Sequence, residues 1–400
     1  MKKLIALILV LCLAFAGLVG YLGSRQAGDE IYAPAVTASP AEDVQLEIPA
    51  GPGEIDYAAM YALHDPDEVV FTVEGQDVTW GLYFYMFYTQ AQNMSSYLQS
   101  MAYYGLELGW EDEYAEGMTF ADMPADMAEQ TLTQLCAIRS FAQENNITLS
   151  EEKQAALEEQ MQAELEMVCG EGATEEDFAA FLADNYLTLE RYRWLNETSY
   201  LYQESYIQLY GDAGELYDEE AAMAWLTDNG YLSATHILLM TIDPTTGGTL
   251  NEEEKQERLQ EAEAIAAELQ AIEDAGELVA RFAEIKAERC EDTGKVAYPD
   301  GYTFTPGTMV TEIEDAVNAL ADFEVSGVVE TSYGYHIIMR LPLSVDAAIE
   351  YSSDGIAALT ARSLASSEEF NARLQAKLDE VAVEYTPGFA PAKLTDYIVK

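Results

Sequence analysis

The sequence predicts an α+β protein with an N-terminal membrane segment, a helical domain and a smaller domain built on a sheet. First, 400 residues are too many for one small core and indicate two or three domains. Second, capping signals and apolar residues at helical spacing dominate the chain between residues 80 and 210. Third, from residue 231 onward, short β-branched and aliphatic runs alternate with helical patterns, which is typical of helices packed on a sheet.

The chain begins with the pattern of an export signal. Two lysines precede an apolar run from Leu4 to about Leu22, which is about long enough to span a bilayer. We therefore expect residues 1–24 to be a signal peptide or membrane anchor, and we favour an uncleaved anchor with the bulk of the chain outside the cytoplasm. Ala14-Phe15-Ala16 resembles a cleavage site, so secretion stays open. Cys12 follows a leucine instead of a small residue, which argues against a lipoprotein.

A spacer and a hairpin follow. Residues 31–66 are rich in proline, alanine, glycine and acidic residues, so we expect a flexible linker over 25–67. The helical domain is expected over 68–229. Its first element is a strand at Val69–Val73, and the turn at Glu74-Gly75-Gln76 predicts a short hairpin.

The rest of this domain is predicted to be helical. The signals are an aromatic-rich stretch from Trp80 to about Tyr104, Pro124 in a first turn that runs towards Asn145, and helix starts at Ser150, Thr174 and Thr188. Bulky residues at helical spacing usually face other helices, so we expect most of the aromatic side chains in the core. The surplus leaves open an exposed groove for unfolded or extended polypeptide.

The sheet domain is expected over 230–342, in the order β-α-α-loop-α-β-β around a mixed sheet. Its predicted elements are a strand at 231–241, a loop at 243–248, helices at 251–272 and 277–289, a loop at 293–308, a helix at 312–320 and two strands within 325–340. Residues 343–400 contain a helix predicted at 367–381. A helix of this length does not bury itself, so we expect it to pack on the helical domain, which makes the sheet domain an insertion.

Charge and cysteine content narrow the class of protein. The chain has 19 basic and 72 acidic side chains and a formal charge of −53, which argues against nucleic acid as a partner. We interpret the acidic residues as a solvated surface. Three cysteines follow the N-terminal segment, Cys136, Cys169 and Cys290, and an odd number excludes a fully paired disulfide framework. Free or buried thiols are favoured, while a Cys136–Cys169 bridge stays open.

Two of the three histidines open predicted strands at the two ends of the sheet domain. His236 stands in Thr235-His236-Ile237-Leu238, and His336 stands in Gly334-Tyr335-His336-Ile337-Ile338. Unperturbed histidine titrates near neutrality and can donate or accept a hydrogen bond, so the pair is a candidate site.

Several phrases in the same order resemble the parvulin family of peptidyl-prolyl isomerases. They are Thr235-His236-Ile237-Leu238-Leu239, Phe282-Ala283-Glu284-Ile285, Met309 through Leu320, and Val328-Val329-Glu330-Thr331-Ser332-Tyr333-Gly334-Tyr335-His336-Ile337-Ile338. The resemblance implies an FKBP-like α/β domain that catalyses cis-trans isomerisation of prolyl bonds without a metal or cofactor.

The resemblance also implies roles for individual residues. The catalytic residues would be His236, Asp292, His336 and Thr331, and the substrate-binding residues would be Met309, Ile313 and Tyr333. The sequence departs from the family at the turn Pro299-Asp300-Gly301-Tyr302, where the pocket leucine is missing, and it lacks the basic cluster that some members use for phosphorylated substrates. A metal site formed by the two histidines and Asp292 is an alternative from ligand type alone. A hydrolase is disfavoured because the chain has no Gly-x-Ser-x-Gly elbow.

The order of segments is similar to PrsA-type extracellular foldases and SurA-type chaperones. This similarity implies an extracytoplasmic peptidyl-prolyl cis-trans isomerase and chaperone whose partners are unfolded or proline-containing secreted polypeptides. The alternative is a chaperone binding module with a catalytically inactive parvulin domain. A homodimer stays open.

Overall fold

The computed structural model describes residues 54–115, 117–242, 247–351, 358–391 and 393–399. The predicted signal or anchor at 1–24 lies outside these residues, as does most of the predicted linker at 25–67. Within the described ranges, no helix is both long enough and apolar enough to cross a membrane.

The described chain divides into two compact units. The first comprises residues up to Gln208 and from Asn371 onward, and the second comprises Leu209–Phe370. The second unit is therefore longer at both ends than the sheet domain expected over 230–342.

The first unit is mainly helical. Its helices are Tyr57–Tyr61 (α1), Trp80–Tyr103 (α2), Met123–Glu144 (α3), Glu151–Cys169 (α4), Glu175–Ala183 (α5) and Leu189–Tyr210 (α6), the last of which extends two residues into the second unit. Its strands are Val69–Val73 (β1), Gln76–Thr79 (β2), Glu113–Ala115 (β3) and Met118–Thr119 (β4), with Val383–Tyr385 at the C-terminal end and a 3-10 helix at Leu394–Tyr397.

Local sequence signals explain these elements. Glu74 and Gly75 take positive φ values of 52° and 74° and close the predicted β1–β2 hairpin. Ser150 caps α4 by accepting a hydrogen bond from Lys153 N–H, and Thr174 forms the predicted capping box with Asp177. The hairpin and both caps are confirmed. The strand Val383–Tyr385, which pairs with β1 to complete a three-stranded sheet, was not predicted.

The aromatic residues divide between core and surface. The N-terminal half of α2 is buried, including Trp80, Tyr83 and Phe84 at 1% exposure or less, so the core interpretation is confirmed there. At the C-terminal end of the same helix, Tyr103 and Tyr104 are 87% and 76% exposed.

The second unit contains a four-stranded sheet. Its elements are helices Glu219–Asp228 (α7), Glu252–Gln270 (α8), Ala275–Arg289 (α9) and Thr311–Ala319 (α10), and strands Leu232–Met240 (β5), Tyr302–Phe304 (β6), Val325–Glu330 (β7), Gly334–Leu341 (β8), Ala348–Tyr351 (β9) and Ala358–Thr360 (β10). The C-terminal helix Ala361–Glu380 (α11) begins in this unit and ends in the first. The sheet order is β6-β5-β8-β7.

Several predictions for this unit need correction. The prediction of a mixed sheet is wrong, because all three described pairings in the four-stranded sheet are antiparallel. The loop expected over 293–308 contains a 3-10 helix at Thr293–Val296 and the edge strand β6. Helix α11 begins six residues before the predicted start at 367. Helix α7 was not predicted, although Asp218 caps it and two glutamates follow. Of the loop expected over 243–248, residues 243–246 lie outside the described residues.

The four-stranded sheet has two different faces, because alternate residues of a strand point to opposite sides. One face packs an apolar core against α8 and α9, which includes Ile237, Leu239, Phe282 and Ile337. The other face packs a smaller cluster against α10, which includes Ala234, Phe304, Ile313 and Ile338.

Cys136 and Cys290 are buried free thiols. A Cys136–Cys169 bridge is therefore not formed. Burial raises the pKa of the Cys136 thiol to about 12, so this thiol stays protonated near neutral pH.

Candidate active site

The two sheet histidines share one face. His236 lies on β5 opposite Ile338, and His336 lies on β8 opposite Leu238. This register makes them diagonal neighbours, a relation in which side chains of adjacent antiparallel strands can touch. Their ring centroids are 5.1 Å apart, and the rings meet nearly edge to face at 83°. The structure therefore brings together two residues that are one hundred positions apart in the sequence.

Asp292 follows α9 and caps the 3-10 helix Thr293–Val296. Its Oδ1 accepts the N–H of Gly294 at 3.0 Å, and its Oδ2 accepts the hydroxyl of Tyr302 at 2.6 Å. The same Oδ2 lies 3.3 Å from His236 Nε2, a close contact that lacks the alignment of a full hydrogen bond. Asp292 thus joins β5, the start of the 3-10 helix and β6 in one polar cluster.

Burial and hydrogen bonding shift the pKa of Asp292 in opposite directions. Burial alone would raise the pKa of the carboxyl group, but the contacts from His236, the Tyr302 hydroxyl and Gly294 N–H outweigh it and hold the pKa well below its ordinary value. The pKa of Tyr302 is raised, first by burial and then by its hydrogen bond to the carboxylate. Near neutral pH the cluster therefore contains a carboxylate and a protonated tyrosine.

His336 is neutral near pH 7. Its side chain is buried, and burial together with the neighbouring His236 lowers its pKa to about 4. Its Nε2 lies 2.9 Å from Thr331 Oγ1, and the same oxygen accepts the N–H of Tyr333 at 3.1 Å. Thr331 therefore links the buried imidazole to the turn between β7 and β8.

The three residues expected to bind substrate differ in their burial. Met309 is half-buried and Ile313 is buried, and both pack in the cluster that contains Ile338 on the histidine face. Glu314 holds the segment before α10 because its Oε1 accepts the N–H groups of Gly307 and Met309 at 2.8 and 3.0 Å. Tyr333 is 51% exposed at the turn beside Thr331.

The departure at residues 299–302 has a steric basis. Gly301 has a φ of +111°, and a Cβ at this position would lie 2.7 Å from the carbonyl oxygen of Ala234. This backbone therefore has no room for the leucine that the family carries in its pocket. The next residue, Tyr302, stacks its ring on His236 at 5.6 Å and 13°.

Sequence reasoning missed two residues at this site. The sequence marks Tyr302 only as part of the turn that departs from the family, and its contact with Asp292 depends on the pairing of β6 with β5. Cys290 stands two residues before Asp292, and its thiol contacts the backbone of β5: Sγ accepts Leu238 N–H at 3.4 Å and faces His236 O at 3.7 Å. The odd cysteine count offered no signal for this contact.

A cavity of about 650 Å³ adjoins Asp292 and Cys290. Its apolar wall includes Met240, Ile242 and Leu250. Arg258 also lines the cavity, and its charge is paired at 2.9 Å with Glu291. In the part of the chain that the structure describes, no group of three or more His, Cys, Asp or Glu side chains could hold a metal ion.

The unit thus combines paired histidines on an antiparallel sheet with an apolar cluster beside them. Residues 236–341 match the family model of the rotamase PPIC-type PPIASE domain. The chain therefore contains a parvulin-type domain, which indicates a peptidyl-prolyl cis-trans isomerase.

Solved structures give weaker similarities. PrsA from Bacillus subtilis is 16% identical, with 79% of this chain and 92% of that chain covered and a TM-score of 0.24. The SurA-like chaperones PEB4 and Cj1289 of Campylobacter jejuni give a match at 20% identity, 80% and 100% coverage and a TM-score of 0.23. NmPin, the parvulin of Nitrosopumilus maritimus, is 29% identical over 28% of this chain and 97% of its own, with a TM-score of 0.19. No curated protein sequence matches the chain.

Proposed function

We propose that the protein is an extracytoplasmic peptidyl-prolyl cis-trans isomerase and chaperone for secreted polypeptides. The observation that carries the isomerase proposal is the cluster of His236, Asp292, His336 and Thr331 within residues 236–341, beside the apolar side chains of Met309 and Ile313. The extracytoplasmic location is supported by the two lysines and the apolar run at the N-terminus.

The chemistry needs little from the protein. Rotation about a prolyl bond faces a barrier of about 18–20 kcal/mol because amide resonance is lost in the twisted state. A site lowers this barrier when it holds proline in an apolar pocket, removes the amide from water and stabilises the twisted carbonyl with fixed donors. No bond to carbon forms or breaks.

We assign the roles accordingly. Met309 and Ile313 hold the proline ring, and Tyr333 contacts the polypeptide at the exposed turn. His236 and His336 with Thr331 form the polar floor under the twisted amide, and Asp292 orients His236. The neutral state of His336 suits this role because a buried cation would demand a counter-charge.

A prolyl-peptide isomerisation assay tests the proposal. The full chain should accelerate cis-to-trans conversion, and Asp292→Ala and Met309→Ala should each lower kcat/KM by about tenfold or more. Val279→Ala is the control, since Val279 is 37% exposed on α9, which packs on the opposite face of the sheet. Equal rates in wild type and both site variants, all folded by circular dichroism, would sink the assignment.

A chaperone surface is favoured by a separate observation in the first unit. Five large side chains of this unit are each more than 40% exposed: Tyr97, Tyr103, Tyr104, Leu106 and Tyr114. Exposed apolar side chains that form a patch usually mark an interaction site. Between Arg25 and Arg139 the sequence contains no lysine or arginine, while Glu107 and Glu113, in the same stretch of sequence as these side chains, are exposed. Tyrosine faces and carboxylates together fit unfolded segments that carry apolar and basic side chains.

Suppression of aggregation tests this surface. Tyr103→Ser/Tyr104→Ser should weaken suppression for an unfolded basic client, while Leu216→Ser, which alters a residue 65% exposed in the second unit, should not. Suppression by wild type without any isomerase rate would favour the alternative function, a chaperone whose parvulin domain is inactive.

A further inference from the structure

Tyr302 touches the candidate site and has no role in the proposed mechanism so far. It is the first residue of β6 and lies opposite Ala234 on β5. Alternate residues of a strand share a face, so this register places Tyr302 on the same face as His236.

Its contacts reach both members of the His236–Asp292 pair. The hydroxyl donates to Asp292 Oδ2 at 2.6 Å, and this is the oxygen that lies 3.3 Å from His236 Nε2. The ring stacks on the His236 imidazole with the planes 13° apart, and the Tyr298 and Tyr302 rings stack with their centroids 4.7 Å apart.

The backbone nearby leaves space for this tyrosine. A Cβ on Gly294 would lie 2.2 Å from the Tyr302 hydroxyl oxygen, closer than any real contact. Gly294 also donates its N–H to Asp292 Oδ1. One glycine therefore serves the carboxylate with its backbone and admits the hydroxyl by having no side chain.

The two contacts of Asp292 Oδ2 differ in quality. The contact with His236 is longer and poorly aligned, whereas the contact with Tyr302 is short and directed. The orientation of the carboxylate is therefore fixed by the Tyr302 hydroxyl and by Gly294 N–H, and the imidazole is in turn held between this carboxylate and the tyrosine ring.

We propose that Tyr302 is a positioning residue for prolyl isomerisation, acting through Asp292 and through its ring to fix the plane of His236. This inference rests on the proposed isomerase function. Tyr302→Phe keeps the ring and removes the hydroxyl, so it should lower kcat about fivefold with KM within about twofold, the loss expected for one hydrogen bond.

A double-mutant cycle sharpens the test. Gly294→Ala should push the Tyr302 hydroxyl away and lower kcat in the wild-type background. In the Tyr302→Phe background the same change meets no hydroxyl and should cost less than twofold. Equal losses in both backgrounds would overturn the proposal, because they would show that Gly294 acts without Tyr302.

Nuclear magnetic resonance provides a readout that does not depend on activity. The chain has only three histidines, and His64 lies in the first unit as an internal reference. Tyr302→Phe should raise the pH at which the Asp292 carboxyl carbon titrates and should shift the His236 nitrogen signals but not those of His64. Tyr335→Phe removes a hydroxyl from the opposite face of the sheet and should change neither.

The outcomes separate the two proposals. A wild-type protein with no isomerase rate contradicts the proposed function, while the Asp292 and His236 signals still decide whether Tyr302 positions them. Unchanged signals in Tyr302→Phe would overturn the positioning role even in an active enzyme.

Discussion

The two faces of the four-stranded sheet are made by the same strands and differ in what they hold. On the face towards α8 and α9, Ile237 and Ile337 are fully buried among apolar side chains. On the face towards α10, the neighbouring residues His236 and His336 form a polar cluster bordered by a smaller apolar one. One face can thus supply stability while the other carries polar groups in a fixed arrangement. A one-residue step along a strand therefore separates a stabilising side chain from one that belongs to the candidate site.

Loss of a side chain from the apolar face should destabilise the protein most. Ile237→Ala removes a fully buried side chain and should lower the free energy of unfolding of the second unit by about 2–5 kcal/mol. Chemical denaturation followed by circular dichroism measures this loss. The isomerase rate per folded molecule should stay within about twofold of wild type, because the side chain points away from the histidine face. A rate loss without a loss of stability would contradict the division between the faces.

The next effect concerns pH and the polar face. His336 has a pKa of about 4 in the folded chain and an ordinary value of 6.5, so the unfolded chain binds an extra proton between these two values. Stability contributed by the neutral imidazole is present above pH 6.5 and is lost as the pH falls to about 4, by roughly 3 kcal/mol in total. The groups that set this value besides burial are His236 and Asp292.

The pH effect is measured by urea unfolding at pH 7, 5.5 and 4.5. His336→Gln should flatten the dependence in this window. The Asp292 carboxyl affects stability in a lower pH range. Its pKa is lowered from 3.8, so the stability that it contributes is lost only as the pH falls below about 3.8. An equally steep dependence in His336→Gln would show that other groups cause it.

The elements that could be predicted from the sequence are those that carry their own local signals. The β-branched runs, the caps at Ser150 and Thr174 and the helix after Asn251 all carry local signals, and the structure has these elements. The strands β6 and Val383–Tyr385 are three residues long, so they have too few residues to show a period. Both exist because a longer strand offers its edge to them, which is tertiary information.

The candidate site shows the same limit. The spacing of the two histidines, Asp292 and Met309 followed from the family resemblance, and their roles remain proposals. The contact between Tyr302 and Asp292 depends on the register of β6 against β5 and on the missing side chain of Gly294. Neither requirement is visible in composition or periodicity.

His236 is the neighbour of Ile237 on β5 and faces the opposite side of the sheet. His236→Ala should lower kcat/KM by about tenfold, the equivalent of about 1.4 kcal/mol, while changing the free energy of unfolding by about 1 kcal/mol or less. Ile237→Ala is its matched control on the same strand. Circular dichroism and the prolyl-peptide assay on both variants give a direct comparison, and equal effects of the two substitutions on both quantities would refute the separation of roles.

The Thr331 hydroxyl connects the polar face of the sheet to the turn between β7 and β8. Thr331→Val keeps the shape of the side chain and removes a hydroxyl that contacts His336 Nε2 and accepts Tyr333 N–H. Each such hydrogen bond contributes about 1 kcal/mol, so the free energy of unfolding should fall by about 1–2 kcal/mol and the isomerase rate should fall by a few-fold as the imidazole loses its partner. Thr331→Ser retains the hydroxyl and should recover most of the rate. A wild-type rate in Thr331→Val together with a reduced rate in Thr331→Ser would show that the methyl group and its packing matter at this position and that the hydroxyl does not hold His336.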